Sequence, residues 1–382
     1  MKKTITPGQI SRTNLELIYH FIYTHGPISQ QDITYELRLS RPTVASKVNE
    51  LESMGMIKKD GQISSDLVGR KASAYSIVPD YRIAIGVEIQ ENLFKILTVD
   101  LSGSYSTRKV FDLPYVNSEE YVHSVCDHIN AYIEALSIRD EQLLGIGISL
   151  PGLVSADGAE VTYGRILDCT GLKLSRFQKY LQHPCRFLHD ASAAAGSELW
   201  ASPELPDFVY LNISIHLGAS LIRNREIFTG KHGYAATIEH VQLHPDGPVC
   251  YCGKNGCIET YCSMTALLRG ESEEEFFEKL RNGESGHETR WLMYLKDLAL
   301  GINNSHLLYD TVFVLGGYLA QHLTDRDIGI LYDEIEQISP FPEYRDYIQI
   351  SKMPVHNITI GAALPYITEF LAKPAQSFYL PQ

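Results

Sequence analysis

Apolar residues recur at helical spacing at Leu15, Leu17, Ile18, Phe21 and Ile22, which predicts a helix over 14–24. Gly26-Pro27 ends it. Ser29, followed three positions later by Asp32, has the form of a helix N-cap, so a short second helix is expected to about Leu37. Ser40 can cap a third helix with Pro42 in its first turn, and Val44, Val48 and Leu51 form its buried stripe. The stretch 56–63 reads as strand, turn, strand, with Gly69-Arg70-Lys71 behind it as a basic tip. Together these elements predict a winged helix-turn-helix.

Beyond Pro79 the pattern changes to buried strands and longer helices. The run 81–87 reads as a strand, 93–99 as its hairpin partner, and 100–103 as a turn. A similar unit recurs at 208–215, 218–222 and a turn at Asn224-Arg225. One unit used twice predicts a duplicated α/β fold with a cleft between its halves. Amphipathic helices are expected at 118–137 and 290–308, a buried strand at 311–317, and a late packed helix at 358–370. The acidic run 271–275 reads as a solvated helix start.

A chain of 382 residues exceeds one ordinary core, so more than one domain is expected. We expect a head over 1–79 and a body over 80–382. The body divides into lobe one (80–193 plus 360–382) and lobe two (194–359). Net charge follows the same division. Up to Pro79 ten basic residues face seven acidic ones, a net of +3, so the rest of a −13 chain carries −16. A mildly basic head on an acidic body suits a head that meets nucleic acid. In the third helix Ser40, Arg41, Thr43, Ser46 and Lys47 lie mostly off the buried stripe. They are expected to face base edges and phosphates, with Arg70 and Lys71 reaching a minor groove or phosphate. No run approaches the ~20 apolar residues of a membrane helix, and no apolar stretch follows Met1-Lys2-Lys3-Thr4. A cytoplasmic, reduced protein is expected.

Three of the seven cysteines fall within eight positions, Cys250, Cys252 and Cys257. His240 stands before them and Glu259 just after. Three thiolates and an imidazole, with Gly253 and Gly256 to turn the backbone, suit tetrahedral Zn2+ in a closed structural site. The bland reading is a set of small buried hydrophobes. The other cysteines, Cys126, Cys169, Cys185 and Cys262, are scattered.

The run 240–259 resembles the zinc signature of the ROK family (repressors, open reading frames and sugar kinases). Residues 145–152, Gly-Ile-Gly-Ile-Ser-Leu-Pro-Gly, are similar to a family strand and turn. His189-Asp190-Ala191-Ser192-Ala193-Ala194 looks like its N-D-A-N-A-A segment, and 314–317 its late glycine loop. The resemblance spans nearly the whole length. It implies an actin-like, two-lobed body of the ribonuclease H-like, sugar-kinase type, with a sugar in the cleft and a homodimer overall.

Family kinases hold ATP phosphates on D-x-G-G-T and G-T-G-x-G-x-G turns, where backbone must approach closely. Here the first turn reads Glu88-Ile89-Gln90-Glu91-Asn92, and the second, over 214–220, keeps only Gly218. No phosphoryl transfer is expected. By resemblance His189, Asp190, His240 and Glu259 occupy sugar-contacting positions. Thr237 replaces the glutamate of the family's E-x-G-H, and Glu239, read as its neighbour on a strand where side chains alternate, is expected to point elsewhere. The resemblance therefore implies a repressor of carbohydrate-utilisation genes that binds double-stranded operator DNA and answers to a sugar or sugar phosphate. The alternatives are a sugar kinase, or a regulator controlled by a protein partner.

Overall fold

A computed structural model describes residues 6–63, 72–342, 344–353 and 355–372. The head opens with α1 (Pro7–His25), whose Leu15, Ile18, Tyr19 and Ile22 are buried. A two-residue strand β1 (Ile28–Ser29) leads to α2 (Gln30–Leu37), where Ser29 Oγ accepts the Asp32 N–H at 3.2 Å. Helix α3 (Arg41–Ser53) follows with Val44, Val48 and Leu51 inward. Strands β2 (Ile57–Ile63) and β3 (Ala72–Ile77) pair antiparallel, and β1 joins the far edge of β3. The head is thus a winged helix-turn-helix, with one correction. The expected turn inside 56–63 is instead an irregularity between Lys59 and Gln62 within a single strand, and the returning strand is β3. Asp60-Gly61 signals a turn by composition, and the ladder absorbs it as a bulge. Arg70 and Lys71 lie outside the described residues.

The body holds two five-stranded sheets of the same design. The first uses β4 (Ile83–Ile89), β5 (Phe94–Asp100), β6 (Tyr105–Phe111), β7 (Leu143–Leu150) and, after the small pair β8 (Leu153–Val154) and β9 (Val161–Tyr163), β10 (Cys185–His189). Its order is β10-β7-β4-β5-β6, parallel on the β4-β7-β10 side and antiparallel on the other. Helix α4 (Glu119–Ala135) lays Tyr121, Val122, Val125, Cys126, Ile129, Tyr132 and Ile133 on one face.

Helix α5 (Asp190–Ala201) passes to the second sheet. This sheet contains β11 (Phe208–Ile213), β12 (Leu217–Arg223), β13 (Glu226–Ile227), β14 (Val312–Gly316) and β15 (Ile348–Ile350), in the order β13-β12-β11-β14-β15. That is the first sheet's order and strand sense again. The duplication expected from the two strand-hairpin patterns is therefore present, and the fold is actin-like. Short α6 (Glu259–Cys262) and α7 (Met264–Leu268) precede α8 (Glu273–Arg281), which starts within the acidic run, then α9 (Ser285–Tyr309) and α10 (Asp325–Ile338). These cover the outer face of the second sheet.

The last helix, α11 (Asn357–Ala372), lies against β4 and β7 and packs along α5. The approach is close: a Cβ on Gly147 would stand 1.8 Å from the Ala362 carbonyl oxygen. The expected lobe boundaries at 193/194 and 359/360 fall inside α5 and α11. We propose to divide the lobes at the starts of these helices instead. One hydrophobic cluster joins head to body, running from Leu15, Tyr19 and Val44 to Val99, Leu364, Ile367 and Phe370. The Arg82 guanidinium stands 4.3 Å from the Tyr81 ring centroid and 6.0 Å from that of Phe370.

Candidate functional site

Between Thr237 and Cys262 the chain forms turns rather than long elements. His240 closes a 3-10 turn (Ile238–His240), and isolated bridges pair Gln242 with Cys257 and Val249 with Asn255. The turn at Gly256 admits no side chain, because its φ is +69° and a Cβ would meet the His244 carbonyl oxygen at 1.6 Å. This folding brings His240, Cys250, Cys252 and Cys257 together, with one ligand atom from each within 4.8 Å of the others. Cys250 Sγ lies 3.7 Å from His240 Nδ1, and Cys252 Sγ lies 3.7 Å from Cys257 Sγ. An ion with bonds of about 2.3 Å to sulfur and 2.0–2.1 Å to nitrogen needs edges of about 3.8 and 3.6 Å when tetrahedral. The four residues fit such an ion.

The same turn lines a cavity of about 50 Å³ between the lobes. His189 and Asp190 reach it from the end of β10 and the start of α5, Tyr163 from the end of β9 and Arg165 from the loop after it. Thr237, Glu239, His240 and Tyr251 reach it from the metal segment, and His216 from the turn before β12. His189 Nε2 is 3.2 Å from Asp190 Oδ1. Burial lifts the Asp190 carboxyl above the usual range, against the pull of His189. Burial also lowers His189.

Two sequence expectations change here. Glu259 does not line the cavity. Its Oε1 accepts from His216 Nδ1 at 2.8 Å and its Oε2 from the Leu217 N–H at 2.6 Å. The reason is His216, an imidazole in the turn where family kinases carry glycines. Burial works against a charged His216, but the hydrogen bond and field of Glu259, with Glu91 and Asp190 nearby, raise its pKa overall. Glu239 does reach the cavity, because its backbone is a 3-10 turn and not the alternating strand expected. It is 4% exposed, and its Oε2 has no hydrogen-bond partner among the described residues. Burial, with repulsion from Asp190 and Glu259, pushes its carboxyl up to about 8. Tyr251, between two of the cysteines, stands edge-on to His216 and His240 at 5.4 and 5.1 Å. Its place in the metal loop was the only signal for it. Arg165 carried none.

A second cavity of about 170 Å³ shares Pro151, Ile166, Asp190 and His216 with the first. It lies against the first phosphate-turn segment, Glu88 to Asn92. Glu88 is buried and accepts from Lys95 Nζ at 3.0 Å, from Thr359 Oγ1 at 2.6 Å and from Gln90 Nε2.

In the head, Arg41 and Ser46 are exposed on α3. Ser40 Oγ accepts the Thr43 N–H at 3.2 Å and lies 2.8 Å from Thr43 Oγ1, so both side chains serve the cap. Lys47 Nζ is 2.6 Å from Glu50 Oε2 and only 13% exposed, so it is less free than its position on the helix suggested. Tyr35 on α2, 80% exposed, was not foreseen.

Comparison with known proteins supplies the remaining context. The ROK family model matches residues 84–335, and the MarR family model matches 10–60. The DNA-binding transcriptional dual regulator NagC of Escherichia coli K12 is 29% identical over 264 residues, 68% of this chain and 64% of that protein. The alignment thus spans less than two thirds of that regulator. The xylose repressor of Bacillus subtilis is 28% identical over 279 residues, covering 70% of each. That of Caldicellulosiruptor bescii is 22% identical over 395 residues, covering 96% of this chain and 98% of the repressor. Among solved structures, a ROK family transcriptional regulator, a homologue of the E. coli MLC protein, superposes with a TM-score of 0.74 at 21% identity, covering 97% of this chain and all of that one. A ROK glucokinase from Streptomyces griseus, with glucose and AMPPNP, superposes with a TM-score of 0.65 at 21% identity, covering 74% of this chain and 98% of that one. At these identities the superpositions speak for the fold.

Proposed function

The chain belongs to the ROK family, and from that premise we propose that it is a DNA-binding transcriptional repressor controlled by a sugar in the interlobe cleft. The observation that carries this reading is a combination within one chain. A MarR-type head precedes a ROK body whose cleft keeps a polar wall while charged and bulky residues fill both phosphate turns. The regulators among its relatives, repressors of N-acetylglucosamine and xylose genes by name, support the same reading. Phosphoryl transfer is disfavoured, since Glu88, Gln90 and Glu91 stand where phosphate would need backbone amides.

The ion suited to the Cys3His set is Zn2+ in a structural role. Its ligands would be His240, Cys250, Cys252 and Cys257, with His240 meeting it through Nδ1. Zinc would fix the segment that presents Glu239, His240 and Tyr251 to the cavity. His189 and Asp190 face the sugar from the other side, and His216 takes over at the cavity wall the place that family resemblance gave to Glu259. No helix of the described residues is long and apolar enough to cross a membrane.

Control of DNA runs through contiguous packing. Asp190 begins α5, α5 lies along α11, and the far end of α11 enters the cluster that holds the head. In a homodimer the two heads read half-sites one helical turn apart, or multiples of it, so a small change in head spacing disfavours simultaneous contact. Arg41, Ser46 and, once freed from Glu50, Lys47 would meet the DNA, with Ser40 and Thr43 at the helix start. A sugar that prefers one lobe closure by a few kcal/mol shifts the population strongly. The test is fluorescence anisotropy of the zinc-loaded protein on DNA upstream of its own gene, with a panel of sugars. Salt-dependent binding that one sugar releases supports the reading. ATP-dependent turnover of a hexose would overturn it.

A further inference from the structure

The sugar-type chamber does not end at Asp190. It shares four wall residues with a second chamber more than three times its volume, about 170 against 50 Å³. Its character differs from the first. Ile89, Leu93, Ile215, Ile358 and the Tyr318 ring give it an apolar face. Tyr318 closes it from the second lobe, with its hydroxyl 3.5 Å from Gln90 Nε2 and its ring centroid 6.0 Å from Lys95 Nζ.

Charge decides what can enter. The acidic groups facing the chamber are Glu88, Glu91 and Asp190, and no lysine or arginine is among its lining residues. Lys95 is already committed to Glu88, and His216 gives its Nδ1 to Glu259. Arg165 stands at the first chamber and not the second. A phosphate placed here would meet Glu91 and Asp190 with no lysine or arginine among the described lining residues to pair with it, and His216 already shares its charge with Glu259. An uncharged ring would cover the apolar wall and could donate or accept at Gln90, Asn212 and Ser214.

We propose that the effector is an uncharged two-ring sugar derivative, with its sugar ring in the polar chamber and its second ring in the adjoining apolar chamber. This inference rests on the sugar-responsive reading above and narrows its ligand class. The second ring belongs either to another sugar or to an aromatic aglycone, which share an uncharged ring on an acetal oxygen.

Calorimetry of the full-length, zinc-loaded chain decides the matter. The ligands are glucose, xylose and N-acetylglucosamine, hexose 6-phosphates, disaccharides of several linkages, and phenyl glycosides. At least one two-ring ligand is expected to bind about tenfold tighter than its own monosaccharide, a gain of about 1.4 kcal/mol. Ile215→Trp, at a 47% exposed wall position, should abolish that gain and leave monosaccharide affinity within about twofold. Asn92→Trp, on the opposite wall and also exposed, provides a second filling variant. A gain confined to phenyl glycosides supports the proposal and makes the second ring aromatic, whereas one confined to disaccharides makes it a sugar. Equal affinity for every monosaccharide and its derivatives overturns the inference and leaves the sugar-responsive reading standing. So does tightest binding of a hexose phosphate, or a gain that survives both filling variants. Binding of no sugar compound at all overturns both.

Discussion

Asp190 stands at the first turn of α5 with its Oδ1 on the Ala191 N–H at 2.7 Å and His189 beside it. His216 attracts its charge and Glu88 repels it, and burial outweighs the attractions, so its folded pKa lies above its unfolded value. Between the unfolded value of about 4 and the raised folded value the native state binds the extra proton, and stability falls as pH rises through that window. Asp190→Asn should therefore match wild type in melting temperature near pH 4, exceed it at pH 7, and lose sugar binding. Parallel melting curves across that range would remove the burial argument. The metal quartet makes a different demand. Cys250→Ser should drop zinc from about one ion per chain to nearly none by elemental analysis and lower the melting temperature, because metal binding is folding free energy. A variant that keeps its ion and its stability would sink the structural role. The quartet was legible in the sequence because ligand spacing is local. Glu239 was not, since a strand and a 3-10 turn send neighbouring side chains in different directions. The withdrawal of Glu259 depended on His216, 43 residues away.

At the scale of elements, periodicity and capping located α2, α3, α4, α9 and α11, found only the second half of α1, and gave no expectation of α10. The wing was misread because Asp60-Gly61 has turn composition but lies within paired backbone. Gly147 looked like part of a strand-and-turn motif, and the structure supplies its second reason, the backbone of α11. Gly147→Ala should cost about 1–3 kcal/mol, since neither sheet nor helix can retreat without repacking, and urea melts would report it. An unchanged midpoint would mean that α11 moves easily. On α3, Arg41→Ala should weaken all DNA sequences alike and lower the salt slope by about one. Lys47→Ala should do less, because contact first requires breaking its pair with Glu50. A larger loss from Lys47 would reverse that order.

At the scale of the molecule, the duplicated sheets were legible, because the strand-hairpin pattern repeats along the chain. The joining of head and body was not. The cluster linking Tyr19 to Phe370 brings together residues more than three hundred positions apart, and neither segment signals its partner. In the proposed repressor that cluster is the physical basis for coupling cleft to head. Coupling of this kind is reciprocal: a ligand that changes DNA affinity by some factor must have its own affinity changed by DNA by the same factor. The most direct measurement is calorimetry of the effector on the zinc-loaded protein, alone and with saturating operator. The effector dissociation constant should rise with DNA by the factor by which effector raises the DNA constant, about 5- to 150-fold for ordinary coupling. An effector constant unchanged by saturating DNA would contradict the claim that the cleft controls the head.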